Sequence, residues 1–271
     1  IDPVGTGYSR FVATGEDVRK RFYSVDGDVN ALALVIRRWL EKYDLQWTPN
    51  TTDAQHHRYA YGKQAQIAHW NLSRLAGAIA LLFNEHEALQ AGLQRYTEVF
   101  NKMHRQMNVE KIGLLNAAAS DVELMHDLFR LMHIMQIDMT LFFRRLADMD
   151  KQETGIEHFS TCFYDATQRD RHAEEFLIWL QRYATRIADQ KDSSDARRQR
   201  MNAVNPLYVP RNWLAQQAID AAEQGDLSEL HLLMDVLKTP YQEQAGRERF
   251  ATVRPDWAIN RAGCSMLSCS S

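Results

Sequence analysis

Glu123 and His126 stand three residues apart in Glu123-Leu124-Met125-His126. On a helix that spacing sets a carboxylate and an imidazole on one face, as helical bundles do to hold a di-iron centre. Such a centre needs a second Glu-x-x-His and two more glutamates from other helices. The sequence contains no second Glu-x-x-His, so a satisfied core or boundary histidine is the simpler reading of His126. His56-His57 reads as a solvated loop pair. There is no His-Glu-x-x-His and no Cys-x-x-Cys, so zinc has no support. Gly5-Thr6-Gly7 lacks the third glycine of a dinucleotide fingerprint and the Gly-Lys-Ser/Thr of a P-loop; it reads as a turn. No Gly-x-Ser-x-Gly marks a serine nucleophile. Cys162, inside Phe159-Ser160-Thr161-Cys162-Phe163, reads as a buried, inert thiol. Cys264 and Cys269 differ, because they sit in the last eight residues, where little core is available to pack a thiol. Spacing alone leaves redox use and chance placement evenly balanced for them.

These residues need elements to position them, and the periodicity is helical over most of the chain. Ile67, Trp70, Leu75, Ile79 and Leu82 make one stripe; Leu89, Leu93, Tyr96, Phe100, Met103 and Met107 make the next, in alternating steps of four and three. Gly113 interrupts. Ser120-Asp121-Val122-Glu123 has the form of a capping box before Leu124, Leu128, Leu131 and Met135. Further helices are expected over 139–149, 171–187 and 211–224. Gly225 should end the last of these, Asp226 should cap its successor, and Pro240 should stop it. Residues 189–200 are polar and read as a solvated linker or the exposed start of a helix. Phe11–Thr14 and Arg21–Val25, flanked by turn signals, suggest a small hairpin, and residues 29–43 a short helix with Leu32, Ile36, Trp39 and Leu40 on one side.

Composition agrees. Twelve glycines and six prolines in 271 residues fall well below average usage, which excludes collagen-like and most turn-rich all-β architectures. Lys+Arg is 32 and Asp+Glu 35, a net charge of −3, so nucleic acid is not an expected partner. No apolar run reaches the length of a membrane span, and the N-terminal residues have no secretory-signal pattern, so a cytoplasmic protein without membrane contact is expected. Three cysteines are too few for a disulfide scaffold and fit a reducing compartment. A chain opening on Ile1 reads as a fragment.

Several blocks, in order, carry a resemblance. They are Thr48-Pro49-Asn50-Thr51-Thr52-Asp53, Arg58-Tyr59-Ala60-Tyr61, Trp70-Asn71-Leu72, and Asp138-Met139-Thr140 with Phe143-Arg144 and Leu146. The longest runs from Asn205-Pro206-Leu207-Tyr208-Val209-Pro210-Arg211-Asn212-Trp213 to Gly225-Asp226-Leu227-Ser228-Glu229-Leu230. Pro255-Asp256-Trp257 and the terminal Ser268-Cys269-Ser270-Ser271 complete it. Together they resemble the C-terminal half of the selenoprotein O family, over about residues 38–271. The resemblance implies a protein-kinase-like fold that transfers AMP from ATP, with Mg²⁺ or Mn²⁺, to Ser, Thr or Tyr hydroxyls of protein substrates. It implies a redox role for Cys269, which stands where many members carry selenocysteine, with Cys264 as one candidate partner. The loop around Asn50 holds no cysteine, so that partner would be Cys264, Cys162 or another chain.

The family's glycine-rich loop, catalytic loop and metal-binding motif belong to its N-terminal half and have no counterpart in this sequence. No catalytic, cofactor-binding or metal-binding residue is therefore assigned. The expected fold is mainly α, the helical C-terminal lobe of a kinase-like fold with a small N-terminal β-hairpin remnant. Residues 1–37 read as that remnant or an unrelated segment, 38–63 as a loop segment, 64–243 as the helical lobe and 244–271 as a tail. The chain alone is expected to be catalytically incomplete, with the missing N-terminal lobe as a partner. A helical interaction module is the alternative.

Overall fold

The computed structural model describes Arg58, residues 60–149, residues 155–261 and Cys264. The expected hairpin, the helix at 29–43, His56-His57 and Cys269 lie outside these residues. Among the described residues the fold is mainly helical, and in place of strands there is one isolated antiparallel bridge, Ile137 to Phe163.

Two helices come first, α1 (Gln64–Ile79) and α2 (Glu87–Lys111). They pack against each other, and the Tyr96 hydroxyl of α2 donates to the Ala65 carbonyl of α1 at 3.0 Å. The apolar stripe expected to bury α1 does not: no residue of α1 is buried. Trp70 and Leu75 are about half exposed, and Leu81 and Leu82, in the 3₁₀ turn that follows, are 96% and 81% exposed. Of the six apolar positions on α2, only Tyr96 and Met107 are buried.

The main core begins at the C-terminal end of α2. It gathers α3 (Ser120–Ile134), α4 (Met139–Asp148), a 3₁₀ segment (Ile156–Cys162), α6 (Ala173–Ala188) and α7 (Ser194–Val204). Its centre is aromatic. Phe142 of α4 lies 5.2 Å from the Phe159 ring and 6.1 Å from the Phe176 ring, and Trp179 stacks on Tyr183 at 5.4 Å. Buried Trp and Tyr need partners for their polar ends. The Trp179 indole donates to the Leu124 carbonyl and the Tyr183 hydroxyl to the Ile112 carbonyl, each at 2.8 Å, which ties α6 to α3 and to the end of α2. The helix expected over 171–187 is α6, and a short helix the sequence did not suggest, α5 (Ala166–Arg171), capped by the Asp165 carboxylate on the Thr167 N–H, precedes it and breaks at His172.

A second core joins the hairpin of α8 (Asn212–Glu223) and α9 (Ser228–Lys238) to the tail through Trp213, Leu233, Val236, Phe250, Ala258 and Cys264. Gly225, at φ +84°, closes α8 as the sequence suggests. Asp226 accepts from the Ser228 N–H at 2.8 Å and opens α9, but Glu229 turns to Arg249 rather than back to the cap. Pro210 lies one residue before the cap of α8, Arg211. The capping box at Ser120 does not form. The Asp121 carboxylate takes the Ala118 N–H at 2.6 Å and pairs with Arg186, which fixes the helix start by a different bond.

Candidate functional site

Asp138 and Arg211 are 73 positions apart and fully paired. Two Arg211 guanidinium nitrogens donate to the two Asp138 carboxylate oxygens at 2.5 and 3.0 Å, and both side chains are buried. Asp138 also caps α4, accepting from the Leu141 N–H at 3.1 Å, and accepts from the Tyr164 hydroxyl at 2.5 Å. Burial by itself would raise the Asp138 carboxyl, but the Arg211 charge and these hydrogen bonds together hold it below its ordinary value. The arrangement clamps the start of α8 onto the start of α4. Asn205 makes a second clamp: its amide donates to the Lys111 carbonyl at 2.8 Å and accepts from the Lys111 ammonium at 3.2 Å.

Arg197 is a third hub, and the polarity of its segment gave no sign of it. Residues 189–200 lead into the exposed start of a helix, α7, as one of the two sequence readings had it, but Arg197 within it is 0% exposed. Its guanidinium donates to the Leu146 carbonyl (3.2 Å), the Tyr183 hydroxyl (3.0 Å) and the Met149 carbonyl. These carbonyls belong to the C-terminal end of α4, where a helix leaves acceptors unpaired. All three hubs hold elements together; none presents a nucleophile or a free base to a cleft.

A cavity of about 600 Å³ opens between α1 and α2, with Phe129 of α3 and Met139 of α4 on its far side. His69 of α1 and Tyr96, Phe100 and His104 of α2 line it. Tyr96, Phe100 and His104 are four residues apart, so they lie on one face of α2. Burial pushes the Tyr96 hydroxyl up to about 12 and lowers the His104 imidazole.

The residues singled out from the sequence are scattered. His126 is not a core residue: its side chain is 80% exposed, and its nearest acid, Asp127, is 4.0 Å away. Glu123 reaches toward Arg182 at 3.9 Å. Cys162 is buried and its thiol is pushed up to about 12, chiefly by burial and further by the Asp138 charge, as an inert thiol should be. Cys264 is also buried, with its thiol raised by burial. Among the described residues, no three His, Cys, Asp or Glu side chains converge on one point, so these residues give no ligand set for a divalent cation. Among them, too, no helix is long and apolar enough to cross a membrane.

The buried clamps join blocks far apart in the sequence, and the same blocks carry the likeness to known proteins. A family model described as protein adenylyltransferase SelO matches residues 38–238. The chain belongs to the SelO family. It is 49% identical over 233 residues to the protein nucleotidyltransferase YdiU of Xanthomonas campestris pv. campestris (strain B100), covering 86% of this chain and 45% of that protein. It is 50% identical, with the same coverage, to the protein nucleotidyltransferase YdiU of Azoarcus sp. (strain BH72). The chain thus spans less than half the length of these SelO-family relatives. Asp138, Asn205, Arg197 and Arg211 all fall inside the matched region. In this chain they fix how its helices pack.

Proposed function

We propose that this chain is the helical C-terminal part of a SelO-type protein adenylyltransferase with a kinase-like fold. The reaction moves AMP from ATP to a Ser, Thr or Tyr hydroxyl of a protein. The hydroxyl oxygen bonds to the α-phosphorus, the bond to the pyrophosphate breaks, and the hydroxyl proton is given up. Such a transfer needs cations and donors held against the triphosphate. ATP and Mg²⁺ or Mn²⁺ belong to this reading through the family. The described residues contribute the framework under the site and none of its reacting groups. The observation that carries the reading is the 233-residue match at 49% identity to a named protein nucleotidyltransferase, of which this chain spans 45%.

The remainder of the family's length is the proposed partner, and the exposed apolar face of α1 is where it would pack. Leu75, Leu81 and Leu82 are large apolar side chains exposed on α1 and the turn after it, the kind of surface that marks an interaction site. The same observation favours the second reading, a helical interaction module with no transfer activity of its own. Cys269 is the proposed redox group; pairing it with Cys264 would require the buried Cys264 sulfur to leave its core.

The test is transfer of label from ATP marked on the α-phosphate, with Mg²⁺ and a cell extract. The 271-residue chain is assayed alone and mixed with the part of the Xanthomonas relative that it does not match. Label only in the mixture is the expected result. Label from this chain alone overturns catalytic incompleteness. No label in the mixture, with the intact relative active beside it and a stable complex formed, supports the non-catalytic module instead.

A further inference from the structure

The exposed side of α1 is set apart by its charge as well as by its apolar residues. From Arg58 to Asn84 the sequence carries Arg58, Lys63 and Arg74 and no aspartate or glutamate, in a chain whose net charge is −3. Two of those cations gather on one indole. The Arg58 guanidinium lies 4.2 Å from the centre of the Trp70 ring and the Arg74 guanidinium 5.6 Å from it, both within cation–π range. Trp70, Arg74 and Ala78 are four residues apart and all exposed, so they share an outward face of α1. Among the described residues no carboxylate pairs with Arg74. Leu75, the next residue along, is exposed too, so a surface that covers Leu75 comes close over Arg74 as well. Arginine keeps its proton in proteins. The covering surface therefore takes on a fixed cation, and a charge buried without a partner is costly. The planar fork of a guanidinium held beside an indole matches the two oxygens of a carboxylate.

We infer that the segment covering α1 brings an aspartate or glutamate to Arg74, so that the part of the SelO-family length which this chain does not span docks through a surface both apolar and acidic. The inference rests on the proposed packing of that part on α1. The 271-residue chain is mixed with the part of the Xanthomonas relative that it does not match, and association is read by calorimetry. Arg74→Glu should weaken the complex roughly thirtyfold or more, the loss seen when one partner of a desolvated charge pair is removed. Arg198→Glu makes the same change of net charge at an exposed position of α7 and should leave the affinity unchanged. Arg74→Lys places a primary amine at the same position. A water-soluble carbodiimide should then join that amine, as an amide, to an aspartate or glutamate of the Xanthomonas part, and peptide mass mapping names the acid. Arg74 sits on a helix with no buried residue, so these variants leave both cores intact. Leu75→Asp and Leu82→Asp separate the contact from the docking surface. If they weaken the complex and Arg74→Glu does not, the acidic contact is overturned while the docking surface stands. If no complex forms, or if they too leave it unchanged, docking on α1 falls and the inference falls with it. An amide to a carboxyl of this chain, from the same or a second copy, or no amide at that position, overturns the inference.

Discussion

At the scale of single residues, charge and thiol chemistry are governed by burial. The Asp138 carboxyl is held below its ordinary value, so its contribution to stability is complete above about pH 4 and is lost as pH falls through its folded value. Replacing Arg211 reverses the sign. Arg211→Met leaves a buried carboxylate with its largest source of compensation gone and should cost about 3–5 kcal/mol at pH 7. The upward push of burial then prevails, the folded carboxyl binds its proton more readily than the unfolded one, and the deficit should shrink as pH falls from 7 to 5. Urea unfolding of both proteins at the two pH values measures this; a deficit that is constant or grows would refute it. The thiols make a simpler case. Cys162 and Cys264 are buried and raised, so both should react with a disulfide reagent far more slowly in the native protein than in urea. Peptide mapping of labelled protein reads each site separately, and equal native and unfolded rates would contradict their burial.

At the scale of elements, the connection from α2 to α3 is the most constrained turn described. Gly113 has φ +70°, and a Cβ there would meet the Met201 sulfur at 2.7 Å and the Arg197 side chain at 2.8 Å. Its carbonyl also accepts from Arg200 at 2.9 Å. Gly113→Ala combines a left-handed backbone with a clash against a packed helix and should lower stability by about 2–4 kcal/mol. Thermal unfolding against Gly155→Ala, where a Cβ meets nothing, gives the control. A comparable melting temperature for both variants would show that α7 can move aside. Most helices were legible at this scale, and so were the glycine stop at Gly225 and the Asp226 start, but the capping at Ser120 was not. Ser120 loses to Asp121 because a carboxylate with both an N–H and Arg186 in reach outbids a hydroxyl. The break at His172 carries no glycine or proline to announce it.

At the scale of the whole molecule, the described residues form two well-filled cores and leave one apolar side exposed. The open side is α1 and the turn after it. If the rest of the family's length packs there, Leu75→Asp and Leu82→Asp should weaken the complex with the complementary part of the Xanthomonas relative at least tenfold. Met234→Asp, on the exposed part of α9, should not. Light scattering of the mixture measures association directly. Equal binding by all three variants would place the partner elsewhere. Without that partner, the exposed apolar face should make the chain self-associate; a monodisperse monomer at high concentration would contradict this.

Helical class, the position of most helices and the family were readable from the linear sequence, because period, glycine punctuation and ordered blocks are local or sequential signals. The inert state of Cys162 followed from its apolar neighbours. Contacts between distant positions were not readable. Periodicity marks which face of a helix is apolar but not whether anything covers it, so the α1 stripe looked like core and lies half in water. Polarity marks residues that water would solvate, so Arg197 looked exposed until α4 supplied the carbonyls that replace water around its guanidinium. The Asp138–Arg211 clamp and the ring-lined cavity exist only once α8 meets α4 and α1 meets α2. Those meetings are set by packing and hydrogen bonding across long loops, which no short stretch of sequence records.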